Sequence, residues 1–364
     1  MSNKSVTVLG SGNTGFSVAA NLTLQGHSVA LYELPEFDSS LKAIEKKRTI
    51  KLEGVAKQGN ATIDLITSDI QKALDFSDLV LLTVPAYAHK RFAEVCAPHL
   101  KKGHTVTLIP GTLGSLEWSR VLREAGCTDV TLAEVDTAPY VCRRTAPDTA
   151  TILGIITGLG FGVLPSIKTP QVVEMLEPLF PGMTPYKDAM ACGLSSMNPV
   201  VHPAGVLMNA GRIEYSRGEF YFYAEGVSSS VAKVIMQVDD ERRSIGTTLG
   251  YNLIPVNEGF HQAGFGPKGD LWSTINGSLM LSKLKAPGTL DNRWMSEDIP
   301  YGIVTWSQIG EQYNVPTPIM KAFVDVGSVV MGSDAWSTGR TLHDLGISGI
   351  SKTKLGIFLE TGKI

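Results

Sequence analysis

VTVLGSGNTGFSVAANLTLQGHSVALYE (Val6–Glu33) is the stretch on which the fold turns. A strand-like run, Val6–Leu9, breaks into the loop Gly10-Ser11-Gly12-Asn13-Thr14-Gly15. A helical pattern follows over Phe16–Gln25, and a second strand, Ser28–Tyr32, ends on a lone acid, Glu33. The loop fits G-x-G-x-x-G, and its place between a strand end and a helix start gives the pattern its meaning. Gly10 permits the tight turn, Gly12 lets backbone approach a pyrophosphate, and Gly15 lets the helix lie close to the strand. The helix N-terminus then faces the phosphate charge. Glu33 is placed to hydrogen-bond a ribose diol and to repel a 2′-phosphate, and no lysine or arginine follows it until Lys42. The expected cofactor is NAD, with NADP as the alternative, held by Gly10, Ser11, Gly12, Asn13, Thr14, Gly15 and Glu33.

A chain of 364 residues exceeds what one core usually serves, so two domains are expected. With 43% hydrophobic and 18% charged residues it reads as compact and ordered. A formal charge of −3 gives no footprint for nucleic acid or an anionic membrane, and Arg143-Arg144 is too short a basic run to supply one. Cys96, Cys127, Cys142 and Cys192 show no metal-ligand spacing. They read as reduced structural thiols of a cytoplasmic protein, and no metal is expected. The start, MSNKSVTVLGSG, lacks the apolar core of a signal peptide. Thr149–Ile167 and Ala189–Gly211 are uncharged, but glycines, prolines and polar residues interrupt them, so both read as buried core, not membrane spans.

Alternation continues through the first half. Thr49–Thr67 reads as a small antiparallel excursion, Ser68 or Asp69 caps a short helix, and Asp78–Val84 is a buried strand stopped by Pro85. A helix over Tyr87–Leu100, a strand at HTVTLI, a helix over Ser115–Ala125 and a strand at DVTLAEV complete a parallel sheet with helices on its faces. Ligands in such sheets bind outside the carboxyl ends of strands, so Val84, Pro85 and Ala86 should border the cofactor, with the loop Pro110–Gly114 beside them. His89, near the start of what reads as a surface helix, is a bystander. From about Ala189 the pattern turns helical, with helices expected over Val227–Gly246, Trp272–Lys283, Tyr301–Gln312 and Pro318–Met331. The fold class is thus an α/β Rossmann-like N-terminal domain (1–188) plus an all-α C-terminal domain (189–364), with a substrate cleft between them.

GLSSMNPVVHPAGVLMNAGRIE carries Ser195, Asn198, His202 and Asn209 at intervals of 3, 4 and 7, one polar stripe if a single helix spans them. Pro199 and Pro203 kink that helix, or Asn198 caps it. Reduction of a carbonyl or imine by hydride needs a proton donor, and histidine's ordinary pKa near neutrality suits it. LDNRWMSEDIPYG (Leu290–Gly302) supplies Arg293 for a substrate carboxylate and Glu297 or Asp298 to orient the histidine.

These segments resemble the octopine/nopaline (opine) dehydrogenases: MNPVVHPAGVLMNAG their Asn-x3-His-Pro segment, RWMSEDIPYGIV their Arg…Asp segment, GRTLHDLGI (Gly339–Ile347) their C-terminal signature. The glycine loop and TVPA agree as well. The resemblance implies an NAD(P)H-dependent reductive condensation in which a 2-oxo acid, commonly pyruvate, and the amine of an amino acid form an imine that is reduced. It also implies that His202 is the acid/base, that Asp298 orients and charge-matches it, that Asn198 helps place substrate, and that Arg293 holds a carboxylate. Glu214–Ser230 and Glu258–Trp272 line the amino-acid pocket or belong to the core; the amino acid itself is not legible. Oligomeric state is not legible either, and a homodimer stays open. The alternative is a two-domain 2-oxo or 3-hydroxy acid reductase of the ketopantoate or glycerol-3-phosphate dehydrogenase type. Such enzymes lean on a catalytic lysine, whereas here His202 takes the central place and the first strongly basic side chain beyond it is Arg212. A cofactor-binding sensor without catalysis is the remaining reading; it would not need His202, Arg293 and Asp298.

Overall fold

A computed structural model describes residues 3–364. The chain divides into two compact units: one runs to Gly193 and takes back Ile357–Ile364, the other is Leu194–Gly356. The second unit therefore ends before the chain does, where 189–364 had been expected. Phe358 and Leu359 explain the return: both are buried, and the Arg123 guanidinium lies 5.2 Å from the centre of the Phe358 ring.

In the first unit the strands are β1 (Ser5–Leu9), β2 (Ser28–Tyr32), β3 (Thr49–Gly54), β4 (Gly59–Thr62), β5 (Leu65–Thr67) and β6 (Leu79–Leu82). They continue as β7 (Thr105–Leu108), β8 (Thr131–Val135), β9 (Tyr140–Ala146), β10 (Thr149–Ile155), β11 (Gly160–Leu164) and β12 (Thr184–Pro185). One sheet has the order β12-β11-β8-β7-β6-β1-β2-β5 and is parallel except where β11 runs against β8. The chain leaves β1 towards β2 on one side and returns as β6 on the other. This reversal opens a crevice at the carboxyl end of β1, where the glycine loop lies.

The second sheet, β4-β3-β10-β9, explains why NTGFSVAANLTLQ shows no polar face. The helix Asn13–Gln25 packs on β1 and β2 and also on β3, β4, β9 and β10, so every residue from Gly15 to Leu22 is buried. A helix covered on both sides must be apolar all round. Thr49–Thr67 was read as an antiparallel excursion; β3 and β4 are that hairpin, while β5 joins the parallel sheet. Thr149–Ile167, read as buried core, forms β10 and β11.

The second unit is built on Asn198–Leu207, Ser229–Leu249, Val304–Gln312 and Pro318–Met331. Inside it, the fully buried Arg242 donates to Asp239 Oδ1 at 2.9 Å through Nε and to the carbonyls of Leu194 and Ile254, each at 2.7 Å. Glu241 accepts from the backbone of Ile319 and Met320, both at 2.9 Å, and so caps the helix that begins at Pro318. The expected helix over Trp272–Lys283 is shorter: Leu271–Asn276 stops at Gly277 and only one further turn, Leu281–Lys283, follows. Among the described residues no helix is long and apolar enough to cross a membrane, and no group of three or more metal-ligating side chains occurs. All four cysteines are free thiols.

Asp136 follows β8 and accepts from the Tyr186 hydroxyl at 2.8 Å and from the Gly160 backbone at 3.3 Å. Burial pushes its carboxyl up to about 7 against the pull of those bonds. Below the ordinary carboxylate value of about 4 both folded and unfolded chains hold the proton; between about 4 and 7 only the folded chain does. Stability from this group is present at low pH and lost as pH rises through that window. Asp136→Asn removes the dependence, so its thermal midpoint relative to wild type should climb by about 4 °C between roughly pH 5 and pH 8. An offset equal at both pH values contradicts this.

Candidate active site

At the end of β1 the loop is shaped by what each glycine meets. Gly10 has φ +98° and its N–H donates to the Tyr32 carbonyl at 2.9 Å. A Cβ on Gly15 would lie 1.9 Å from the Gly10 carbonyl oxygen and 2.8 Å from Thr83 Oγ1, so the helix can reach β1 only without a side chain there. Gly12 differs: its φ is −74°, and nothing lies within 4 Å of where its Cβ would be. The protein's own packing does not require glycine at 12.

Glu33 is buried and braces this loop. Its Oε2 accepts from the Ser11 backbone at 2.7 Å and from the Ser11 hydroxyl at 2.8 Å, while Oε1 accepts from Leu34 N at 3.0 Å. The Ser11 hydroxyl also contacts that of Ser40. The Asn13 side chain faces away from such work, since its Oδ1 accepts from Arg144 N at 2.9 Å. Val84 and Ala86 are buried and Pro85 half-buried beside the loop, where a Cβ on Gly10 would lie 2.5 Å from Val84 Cγ1.

Two residues here escaped the sequence reading. Thr83 donates its hydroxyl to Leu9 O at 2.9 Å and so pins the end of β1. Glu134, fully buried on β8, accepts from Leu113 N and Ser115 N at 2.9 Å each and from the Ser115 hydroxyl at 2.6 Å. It thereby holds the loop Pro110–Gly114, where Thr112 and Leu113 have positive φ. His89 is not on a surface: it is fully buried, against Gly114, whose Cβ would lie 2.2 Å from its Nδ1.

In the second unit, the single polar stripe is replaced by three short helices. Ala189–Ser195, Asn198–Leu207 and Ala210–Ser216 are separate, so Ser195 and Asn209 leave the face of His202. Asn198 is the first residue of its helix, and Met197, not Asn198, is the cap position. Asn198 remains one turn before His202 on the same face. Asn209 straps the chain instead, its Nδ2 donating to the carbonyls of Gly205 at 2.9 Å and Gly226 at 3.0 Å.

Two close approaches bring the reactive elements together. Pro199 lies where a Cβ on Gly302 would be, 2.5 Å from its Cγ, so the turn Ile299–Ile303 packs directly on the histidine helix. Phe222 lies 2.4 Å from where a Cβ on Gly205 would be and brings Tyr223 behind it. As a result His202 Nδ1 meets Asp298 Oδ2 at 2.8 Å, both side chains being 12% exposed. On its other nitrogen, Nε2 meets the Tyr223 hydroxyl at 3.2 Å. The Trp294 ring stacks on the imidazole at 4.5 Å and 15°, and contacts the Phe222 ring in turn. Burial, then the negative charge of Asp298, raises the Tyr223 phenol well above the ordinary range.

The choice between Glu297 and Asp298 is thereby decided. Glu297 Oε2 instead takes Arg293 Nε at 2.7 Å and Nη2 at 2.6 Å, with the arginine side chain 57% exposed. A carboxylate on Nδ1 fixes the imidazole's tautomer and leaves Nε2 as the ring nitrogen without the proton.

Residues 185–331 match the model of the NAD/NADP octopine/nopaline dehydrogenase α-helical domain, and residues 5–117 that of the NAD-dependent glycerol-3-phosphate dehydrogenase N-terminus. The opine dehydrogenase of Arthrobacter sp. (strain 1C) is 33% identical over 349 residues, covering 96% of each chain. This chain belongs to the opine dehydrogenase family. It is an NAD(P)-dependent oxidoreductase acting on the CH–NH group of donors. The family's fold is the one described: an octopine dehydrogenase solved with NADH and L-arginine superposes with a TM-score of 0.79 at 18% identity, covering 100% of this chain and 99% of that one. A yersinopine dehydrogenase with NADP+ bound gives 0.74 at 16% identity and 98% coverage of both.

The glycine contacts separate two kinds of requirement. Gly15→Ala should lower stability by about 3 kcal/mol, since backbone must move, whereas Gly12→Ala should cost under about 1 kcal/mol. Thermal melting of both variants without ligand checks this; equal losses would show that Gly12 too is held by internal packing.

Proposed function

We propose that this chain condenses a 2-oxo acid, with pyruvate the first to try, with the amine of an amino acid and reduces the resulting imine, using His202 as acid and base. The observation that carries the reading is the His202–Asp298 pair, which leaves Nε2 for proton exchange, with Arg293 on the same short segment as Asp298. The octopine dehydrogenase neighbours were solved with L-arginine, with pyruvate and with agmatine, an oxo acid and two amines.

The loop Gly10–Gly15 would hold the dinucleotide, with Gly12 leaving room for its phosphates and Glu33 accepting from a ribose diol. Val84, Pro85 and Ala86 would border it. The nicotinamide supplies the hydride when bound. His202 polarises the oxo-acid carbonyl and gives a proton to the oxygen that departs as water when the imine forms. Asp298 accepts Nδ1–H throughout and stabilises the imidazolium between transfers. Arg293 turns from Glu297 to a substrate carboxylate, which it grips with two parallel N–H bonds. Asn198, one turn from His202, places the substrate. Free thiols throughout fit work in the cytoplasm.

Absorbance of NADH should fall only when an oxo acid and an amine are both present; oxidation with the oxo acid alone would make the chain a simple oxo-acid reductase. His202→Ala should lower kcat by about a thousandfold while NADH binding, followed by fluorescence, is kept. Wild-type turnover in that variant would remove the histidine from the mechanism. Gly12→Ala should weaken NADH binding by about tenfold with little change in melting. NADPH should bind at least about tenfold more weakly than NADH, and Glu33→Ala should narrow that gap; equal binding of both in the wild type would deny Glu33 the selecting role.

A further inference from the structure

The hydroxyl of Tyr223 has one hydrogen-bond partner among the described residues, and that partner is Nε2 of His202. We propose that Tyr223 is a positioning residue for the reaction proposed above: its hydroxyl donates to Nε2, holding that nitrogen as the unprotonated acceptor in the resting site and releasing it when the imidazole carries the proton for delivery.

Hydrogen accounting supports this direction. Asp298, as a carboxylate, only accepts, so the 2.8 Å bond places a proton on Nδ1. In the neutral imidazole Nε2 is then an acceptor, and its neighbour must donate. Tyr223 can do so over the whole working range, because burial and the nearby Asp298 charge keep its phenol protonated. The two bonds also differ in kind. The Asp298 bond is short and charge-assisted; the Tyr223 bond, at 3.2 Å, lies at the long end of the range and is the one that yields to a substrate oxygen. When Nε2–H passes its proton to that oxygen, its lone pair is restored and takes up the tyrosine O–H again. The proton delivered is the one the substrate amine gives to Nε2 as its nitrogen bonds the carbonyl carbon; it leaves with the oxygen as water, and none has to come from the phenol.

Tyr223 is only 5% exposed, its ring is fixed edge-on against Phe222 at 5.0 Å and 88°, and the hydroxyl is thereby aimed at the one nitrogen that Asp298 leaves for chemistry. Phenylalanine would keep these ring contacts and remove only the donor. The sequence gives the aromatic run over Phe220–Tyr223 but not which of its members reaches the histidine.

The test is Tyr223→Phe in the full chain, read three ways. Steady-state kinetics should show kcat down by about tenfold to a hundredfold with KM for the oxo acid and binding of NADH within about twofold. Nitrogen NMR of histidine-labelled protein, with the His202 signals assigned by their loss in His202→Asn, should show Nδ1 protonated and Nε2 an accepting, unprotonated nitrogen in the wild type. In the phenylalanine variant Nδ1 should stay protonated while the Nε2 signal moves to that of a nitrogen that has lost its donor. Wild-type kcat in Tyr223→Phe overturns the proposal, as does a loss of NADH binding and melting temperature in step with activity. Should that variant fail to fold, the wild-type spectrum still decides: a proton on Nε2 at neutral pH overturns the proposal, and an unprotonated accepting Nε2 upholds it. Turnover retained in His202→Ala would instead sink the proposed function, whereas an inactive His202→Ala beside a fully active Tyr223→Phe would sink the tyrosine alone.

Discussion

The bond between His202 Nδ1 and Asp298 Oδ2 constrains how the second unit packs. The two residues are far apart in sequence, and both side chains are nearly buried. Taking such a pair out of water costs several kcal/mol unless its geometry is good and the remaining atoms find partners. The backbone around it is therefore packed without slack. Gly302 lies against Pro199 and Gly205 against Phe222, at separations no Cβ would survive. Pro203 gives up the helical bond its nitrogen would have made, directly after the histidine. These residues look like helix faults when read singly; around the pair they are the means of close approach.

The first unit solves a related problem with carboxylates. Loops after parallel strands present unpaired N–H groups, and a buried acid can gather several of them at once. Glu33 does this for the loop after β1 and Glu134 for the loop after β7, each accepting from a serine backbone and the same serine's hydroxyl. Glu33 thus has a duty within the protein that is separate from any ligand. A carboxylate has about four acceptor positions, so three internal bonds leave one, enough for a single hydroxyl of a diol. The same three bonds fix where that diol would have to be.

What was legible in the sequence follows from which constraints are local. Gly10, Gly12 and Gly15 answer to a strand-loop-helix unit within one short stretch, and their spacing states it. His202 stood out by residue type, while its partner stayed open between Glu297 and Asp298 until the resemblance pointed to Asp298. Tyr223 was not, since nothing in an aromatic run says which ring turns inwards; that is decided by Gly205, which lets Phe222 close in. The break between Ser195 and Asn198 was hidden for a similar reason: an apolar segment with interval-matched polar residues fits one helix or two, and tertiary packing chooses. Phe358 at the C-terminus and the burial of His89 are likewise settled by partners far away in the chain.

The neighbours Glu297 and Asp298 show how two adjacent acids acquire different tasks. Asp298 is bound on the inside, to an imidazole 12% exposed, where breaking the pair would leave a charge buried without a partner. Glu297, itself only 13% exposed, is bound to an arginine 57% exposed, so the guanidinium end of that pair is open to water. The arginine is thus reached from solvent, whereas the imidazole is enclosed. An arriving carboxylate would have to replace Glu297 on the guanidinium while the histidine keeps its orientation. In the proposed reaction the substrate is then received by the group open to solvent, and protons are delivered by the enclosed one.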